Sequence, residues 1–419
     1  MGDHRSCGDR VTTQVEPVSD RRSSRVPALT ARITVRGRAI PTWAILLIGY
    51  ALSRLLTTGL LAGAYLLAST QGWTIAHYDG SPGLLGFLKS WDGLYYGQVA
   101  VHGYPTQLPT DSTGDVAKNA WAFLPLYPVI VHGLMAITGL DFTISGMVVS
   151  VLFGGAATFA LHRVLLQRFG STTALWGALF FCFGPLSYVL QVTYAESVFL
   201  FFMFCALAAM IAKRYLLMIP FGIAAAFAHP GALALAAALG IQALVRLIRR
   251  EGLPRREWVT GSVALVTIAV AGLAWPLVAS AVTGNPDAYF DSELAWWRDY
   301  IGQLHFVPFT PWFVFAGHYW GVIGVVLVLA VIGGLLWWLT RRSMRVLGLD
   351  LLAYIGSYLA YLIAVFLPQQ SLFRMLLPLS PLLGHPVLSR TRKSSVITLC
   401  VCVALQPVGI LLFWVIWPP

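Results

Sequence analysis

Seventeen acidic residues are spread over 419 positions, few enough to sort one by one. Asp3, Asp9, Glu16 and Asp20 lie in a polar amino-terminal tail. Glu251 and Glu257 sit in an Arg cluster, and Asp141 and Asp350 close apolar segments. The remaining nine are Asp79, Asp92, Asp111, Asp115, Glu196, Asp287, Asp291, Glu293 and Asp299. All fall in loops or helix ends that the pattern of basic residues directs outward. Carboxylate chemistry, where this chain has any, is therefore expected on the outer face. The densest candidate is the stretch 84–105, LLGFLKSWDGLYYGQVAVHGYP. Leu84, Leu88, Trp91, Tyr95 and Val99 recur at steps of three and four and make one apolar helical face, with Lys89, Asp92 and Tyr96 beside it. The spacing predicts an amphipathic helix lying at the outer membrane surface, with a carboxylate at headgroup level. A general base needs such a fixed position beside its substrate. An ordinary interfacial helix with a merely solvated Asp fits the same pattern.

Three further groups stand out. Glu196 lies in QVTYAES at 191–197, a turn between apolar segments. Arg54 and Arg374 fall within or at the end of apolar segments, where a charge needs a partner or a wet cavity. Arg374 suits bidentate capture of a phosphate or snorkelling to the interface. His229, beside Pro230-Gly231, marks a break in apolar sequence. A lone His there is more often structural than a ligand.

The elements that must position these groups are membrane helices. Of all residues 58% are hydrophobic and 11% charged, with a mean hydropathy of +0.73, whereas soluble domains carry about 25% charged residues. Residues 1–40, with eight Arg, four acids and almost no apolar run, read as a disordered cytoplasmic tail rather than a signal peptide. Residues 41–419 read as one multi-span domain. A first span is expected at 43–68. Apolar segments follow near 120–140, 143–161, 172–190, 192–212, 215–248 (broken at His229), 259–283, 320–339, 348–367, 371–388 and 395–415. That is an all-α polytopic bundle of about 10–12 transmembrane helices.

The net charge of +11 comes from basic residues that punctuate apolar segments, which argues against a nucleic-acid partner. Clusters at 213–214, 246–257, 341–345 and 390–393 are expected in the cytoplasm. The loops 69–119 (four Asp, two Lys) and 284–319 (four acids, one Arg) are expected outside. Arg163 and Arg168 fit this scheme only if 120–140 is a short or broken piece, which Pro125 and Pro128 favour. None of the five cysteines has zinc-ligand or useful disulfide spacing. There is no Walker or Rossmann glycine pattern and no His cluster, so no metal or cofactor is expected. No cytoplasmic D-x-D could hold a nucleotide sugar. Asp291-Ser-Glu293 comes nearest and faces outward, so a group donor used there must be membrane-borne.

Trp91-Asp92, Tyr95-Tyr96 and Gly103-Tyr104 resemble the "WD..WY..IA..GY" first-loop motif of PIG-V-type mannosyltransferases, a GT-C family related to the second mannosyltransferase of GPI-anchor synthesis. AFLPLYP at 122–128 is similar to that family's "FFPLYP", YAESVFL at 194–200 to its "YTESLFL", and FRMLLP at 373–378 to its "R.l.P" element. The order is the family's. Departures are Ala195, and Ala228-His229-Pro230-Gly231 where the family has an Arg in "TR..G". The resemblance implies a GT-C-like bundle and a polyprenyl-phosphate donor of mannose, used on the outer face by an inverting mechanism. Asp92 would be the general base, and Arg374 would stabilise the leaving phosphate. Trp91, Tyr95, Tyr96, Tyr104, Glu196 and His229 would contact substrate. The acceptor is left open between a lipid, a glycolipid and a protein. The Ala-, Gly- and Arg-rich composition looks bacterial, which points to the plasma membrane. A transporter or lipid flippase is the alternative, with Arg54, His229 and Arg374 as a thin polar path. A non-catalytic scaffold would not need an ordered loop acid. Protein O-mannosyltransferases usually pair Asp with Glu in the first loop, where this chain has Asp92-Gly93.

Overall fold

The structure, a computed structural model, describes residues 32–35, 38–76, 83–252, 254–303 and 305–417. The chain is an all-α polytopic membrane protein with one short hairpin at its start. The hairpin lies at the end of the basic tail. Strands β1 (Arg32–Val35) and β2 (Arg38–Pro41) pair antiparallel, Ile33 against Ile40, and their β-branched residues favour a pleated strand over coil. The rest of the tail, and Asp79, lie outside the described residues.

Fourteen α-helices follow among the described residues: α1 (Thr42–Thr70), α2 (Leu84–Leu88), α3 (Asp92–His102), α4 (Leu126–Thr138), α5 (Phe142–Leu166), α6 (Ser171–Phe183), α7 (Glu196–Ile211), α8 (Tyr215–Ala228), α9 (Leu233–Ile248), α10 (Arg255–Thr283), α11 (Ala288–Ile301), α12 (Pro311–Thr340), α13 (Gly348–Val365) and α14 (Arg392–Ile410). Seven of the helical segments are long and apolar enough to cross a membrane, and four shorter apolar helices accompany them. At 1.5 Å per residue the 29 residues of α1 run about 43 Å, more than the roughly 30 Å hydrocarbon layer.

α7 is the centre of the bundle. Val198, Leu200, Met203, Phe204, Ala206 and Leu207 are fully buried. A helix that is apolar all round belongs inside. α12 is its opposite. Val322, Ile323 and Leu327 stand exposed, as a lipid-facing helix requires. It kinks at Gly321, whose φ of 56° is open to glycine at little cost.

Two apolar stretches depart from expectation. The segment near 371–388 is a 3-10 run from Gln370 to Gly384 instead of a span, because Pro378 and Pro381 remove the N–H donors an α-helix would need there. The stretch 84–99 is two helices instead of one. Trp91 takes a φ of 62° between them and turns the chain.

The two ends of the bundle differ in charge. Arg168 donates to the Val346 carbonyl (3.1 Å), Lys213 pairs with Glu257 (3.1 Å) and Arg246 with Asp350 (4.0 Å). The basic clusters thus gather at one end. α4, with 13 residues too short for a full span, lets α5 carry Arg163 and Arg168 to that end. The opposite end holds Asp92, Glu196 and Arg374.

Candidate functional site

Asp92 is the first residue of α3, and Glu196 is the first residue of α7. The unsatisfied N–H groups and dipole of a helix start favour an anion. Two such starts converge here. α3 can lie this close to the chain entering α7 because residue 93 is glycine: a Cβ there would run into the Thr193 side chain.

Arg374 reaches in from the 3-10 run and joins both carboxylates. Its Nη2 pairs with Asp92, and its Nη1 donates to Glu196 Oε1 at 3.1 Å. The side chains of Asp92, Glu196 and Arg374 are 11%, 8% and 13% exposed, so the cluster is largely out of water. One guanidinium faces two carboxylates, which leaves one negative charge in excess. The guanidinium also lies 4.9 Å from the centre of the Tyr194 ring. Arg374 Nε is buried and has no hydrogen-bond partner, although its residue lines a cavity. Buried polar groups are ordinarily satisfied. An unpartnered guanidinium N–H on a cavity-lining residue leaves a donor for a polar ligand.

The cluster lines a cavity of about 1100 Å³ including its open mouth. Tyr96, His229, Tyr289, Glu293, Trp296 and Trp297 also line it. Tyr96 is buried between Phe123 and Tyr127, with ring centres 5.2 and 5.1 Å away. The His229 Nδ1 accepts from the Gly231 N–H at 3.0 Å, which puts the ring proton on Nε2, 3.1 Å from Met375 Sδ. Its nitrogens are occupied within the protein while the ring borders the cavity.

Trp91, Tyr95 and Tyr104 are not among the lining residues. The Trp91 indole donates to the Trp414 carbonyl at 3.2 Å. Tyr95 stacks on Phe123 at 4.9 Å. Tyr104 donates to the Phe123 carbonyl at 2.7 Å and stacks on Trp121 at 4.6 Å. Together they brace α3. Arg54 is spent on structure: it donates to the carbonyls of Ser187 (2.7 Å) and Cys182 (3.1 Å).

α11 supplies what the sequence reading did not place in the site. Tyr289, Glu293 and Trp296, spaced four and three apart, share one face of that helix. Tyr289 donates to Glu293 Oε1 at 3.1 Å. Burial pushes the Glu293 carboxyl up to about 7, with the Asp92 charge adding to the rise and the Tyr289 hydrogen bond opposing it. The only signal in the sequence was the outward position of Asp291-Ser-Glu293. Among the described residues no three His, Cys, Asp or Glu side chains converge as metal ligands.

The chain matches no protein-family profile. It is similar to three curated proteins over part of its length. Against GPI mannosyltransferase 2 of Schizosaccharomyces pombe it is 28% identical over 128 residues, 30% of this chain and 25% of the relative. Against GPI mannosyltransferase 2 of Drosophila pseudoobscura pseudoobscura it is 29% identical over 124 residues, 27% of this chain and 25% of the relative. Against GPI alpha-1,6-mannosyltransferase 2 of Mus musculus it is 33% identical over 135 residues, 30% of this chain and 25% of the relative. The match thus spans about a quarter of each relative, and over that stretch the chain is PIG-V-like.

Proposed function

We propose that this chain is a membrane mannosyltransferase that moves mannose from a polyprenyl-phosphate donor to a lipid or glycolipid acceptor at the cavity end, on the outer face of the membrane. The observation that carries the reading is Arg374 bridging Asp92 and Glu196 in a largely buried cavity. The partial likeness to GPI mannosyltransferases supports the same class of reaction.

The chemistry divides among the three charged groups. An acceptor hydroxyl oxygen attacks the anomeric carbon, the bond from that carbon to the phosphate oxygen breaks, and the lipid phosphate leaves. The hydroxyl proton goes to the Asp92 carboxylate, acting as general base. Arg374 holds Asp92 and Glu196 with its two terminal nitrogens, and its unpaired Nε remains to donate to a phosphate oxygen as charge develops there. Attack opposite the leaving phosphate inverts the anomeric centre. His229 and Tyr96 border the same space and shape it.

The test uses purified protein in lipid nanodiscs with radiolabelled polyprenyl-phosphate mannose and a membrane lipid extract. Label should appear in a new lipid product, with polyprenyl phosphate released. An intact donor after prolonged incubation, together with movement of the lipid across proteoliposome bilayers, would replace this reading with a flippase.

A further inference from the structure

We propose that the cavity-facing side of α11 is a sugar subsite in which Glu293 and the Trp296 indole N–H bind neighbouring hydroxyls of a pyranose. The proposal deepens the sugar-transfer reading and rests on it for the choice of probes.

Glu293 and Trp296 are one helical turn apart and both line the cavity. Among the described residues Glu293 receives one hydrogen bond, from Tyr289, and no cation pairs with it. Trp296 Nε1 is buried and unpartnered, although its ring is engaged by Lys118 at 4.9 Å and Tyr95 at 5.1 Å. An acceptor with spare capacity and a buried donor with no partner thus lie one turn apart on a helix that lines the cavity. Leaving either unsatisfied in a buried place is costly. A hydroxyl group both donates and accepts, so a pair of them meets both needs.

The surroundings narrow the ligand further. Asp92, Glu196 and Glu293 share one cavity in which, among the described residues, Arg374 is the only lining Lys or Arg. An anion on the α11 side would face Glu293 without a cation, so phosphate belongs beside Arg374 and a neutral polyol beside Glu293. Phe290, Trp297 and Phe306 complete the wall, with Phe290 stacked on Phe306 at 5.4 Å. Aromatic faces next to a carboxylate suit a ring with one apolar C–H face and a rim of hydroxyls. The pyranose is that of the donor or that of a glycolipid acceptor.

Binding measurements separate these sources without requiring turnover. Wild type, Glu293→Gln and Trp296→Phe, each in nanodiscs, would be titrated with polyprenyl-phosphate mannose, with bare polyprenyl phosphate and with octyl mannoside as a glycolipid stand-in. Leaving a buried polar partner without its hydrogen bond weakens binding by about 10- to 100-fold. The expected result is a loss of that size in Glu293→Gln for at least one mannosylated probe, a smaller loss in Trp296→Phe, and unchanged affinity for bare polyprenyl phosphate, which also reports an intact fold. Loss on the lipid-linked mannose alone assigns the subsite to the donor, and loss on octyl mannoside alone assigns it to the acceptor. Mannosylated probes that bind Glu293→Gln as they bind wild type, or three probes that weaken together, overturn the subsite. Absence of mannosyl transfer by wild type would count against the enzymatic reading and leave these binding differences to be judged separately.

Discussion

Asp92, Glu196 and Arg374 form one electrostatic unit, so substitutions within it should separate chemistry from folding. Asp92→Asn keeps the size of the side chain and removes one negative charge from a cluster that has one in excess, while Arg374 retains Glu196. Assembly should be nearly normal. Transfer from polyprenyl-phosphate mannose should fall about 10²–10⁴-fold, the usual contribution of a positioned general base. Retention of more than about a tenth of wild-type transfer would remove Asp92 from that role. Arg374→Gln should behave in the opposite order. It leaves two buried carboxylates facing each other without a cation, and removing one partner of a buried pair costs about 3–5 kcal/mol. The expected reading is a clear drop in the thermal midpoint of the purified protein, with activity lost alongside. An unchanged midpoint would show that the carboxylates do not depend on the guanidinium.

At the scale of the element, the site depends on how α3 begins. The left-handed turn at Trp91 separates α2 from α3 and places Asp92 at a helix start, while Gly93 lets that start press on Thr193. Gly93→Ala should therefore push α3 away from α7. Overpacking of this kind costs about 1–3 kcal/mol, visible as a lowered thermal midpoint with reduced transfer. The nearest atom to the added methyl is the Thr193 hydroxyl. Pairing Gly93→Ala with Thr193→Ala should consequently restore much of the loss. A double variant no better than the single one would show that the contact does not set the position of α3. The aromatic props Tyr95 and Tyr104 act on the same element from its other side, through Phe123.

Across the whole molecule, charge is sorted between two ends, and that sorting sets the expected orientation. Cytoplasmic loops of membrane proteins carry the excess of Lys and Arg. The end with Arg168, Lys213 and Arg246 should face inward, and the cavity outward. In a cysteine-free background, Thr110→Cys should react with an impermeant maleimide added to intact cells, and Ser343→Cys should react only after permeabilisation. Both positions are exposed in the fold. The reverse pattern would place the cavity in the cytoplasm, where a different donor would have to be sought.

Hydropathy and charge are local properties, so the sequence by itself determined the helical membrane class, the long apolar helices and the separation of basic from acidic segments. It also singled out Asp92, Glu196 and Arg374 one at a time, because charges are rare and costly in such a chain. Their meeting was decided by tertiary structure: Arg374 and Glu196 are 178 positions apart, and no periodicity spans that distance. Backbone chemistry decided other features. A positive φ at Trp91 broke an apparently continuous amphipathic helix, and two prolines turned an apolar segment into a 3-10 run. Glu293 falls in the stretch 284–319, which its excess of acids assigns to an outward loop. It belongs to the cavity because α11 packs on the turn at Ala120–Ala122 and sets Trp296 against Tyr95, burying a carboxylate that composition alone would leave in water.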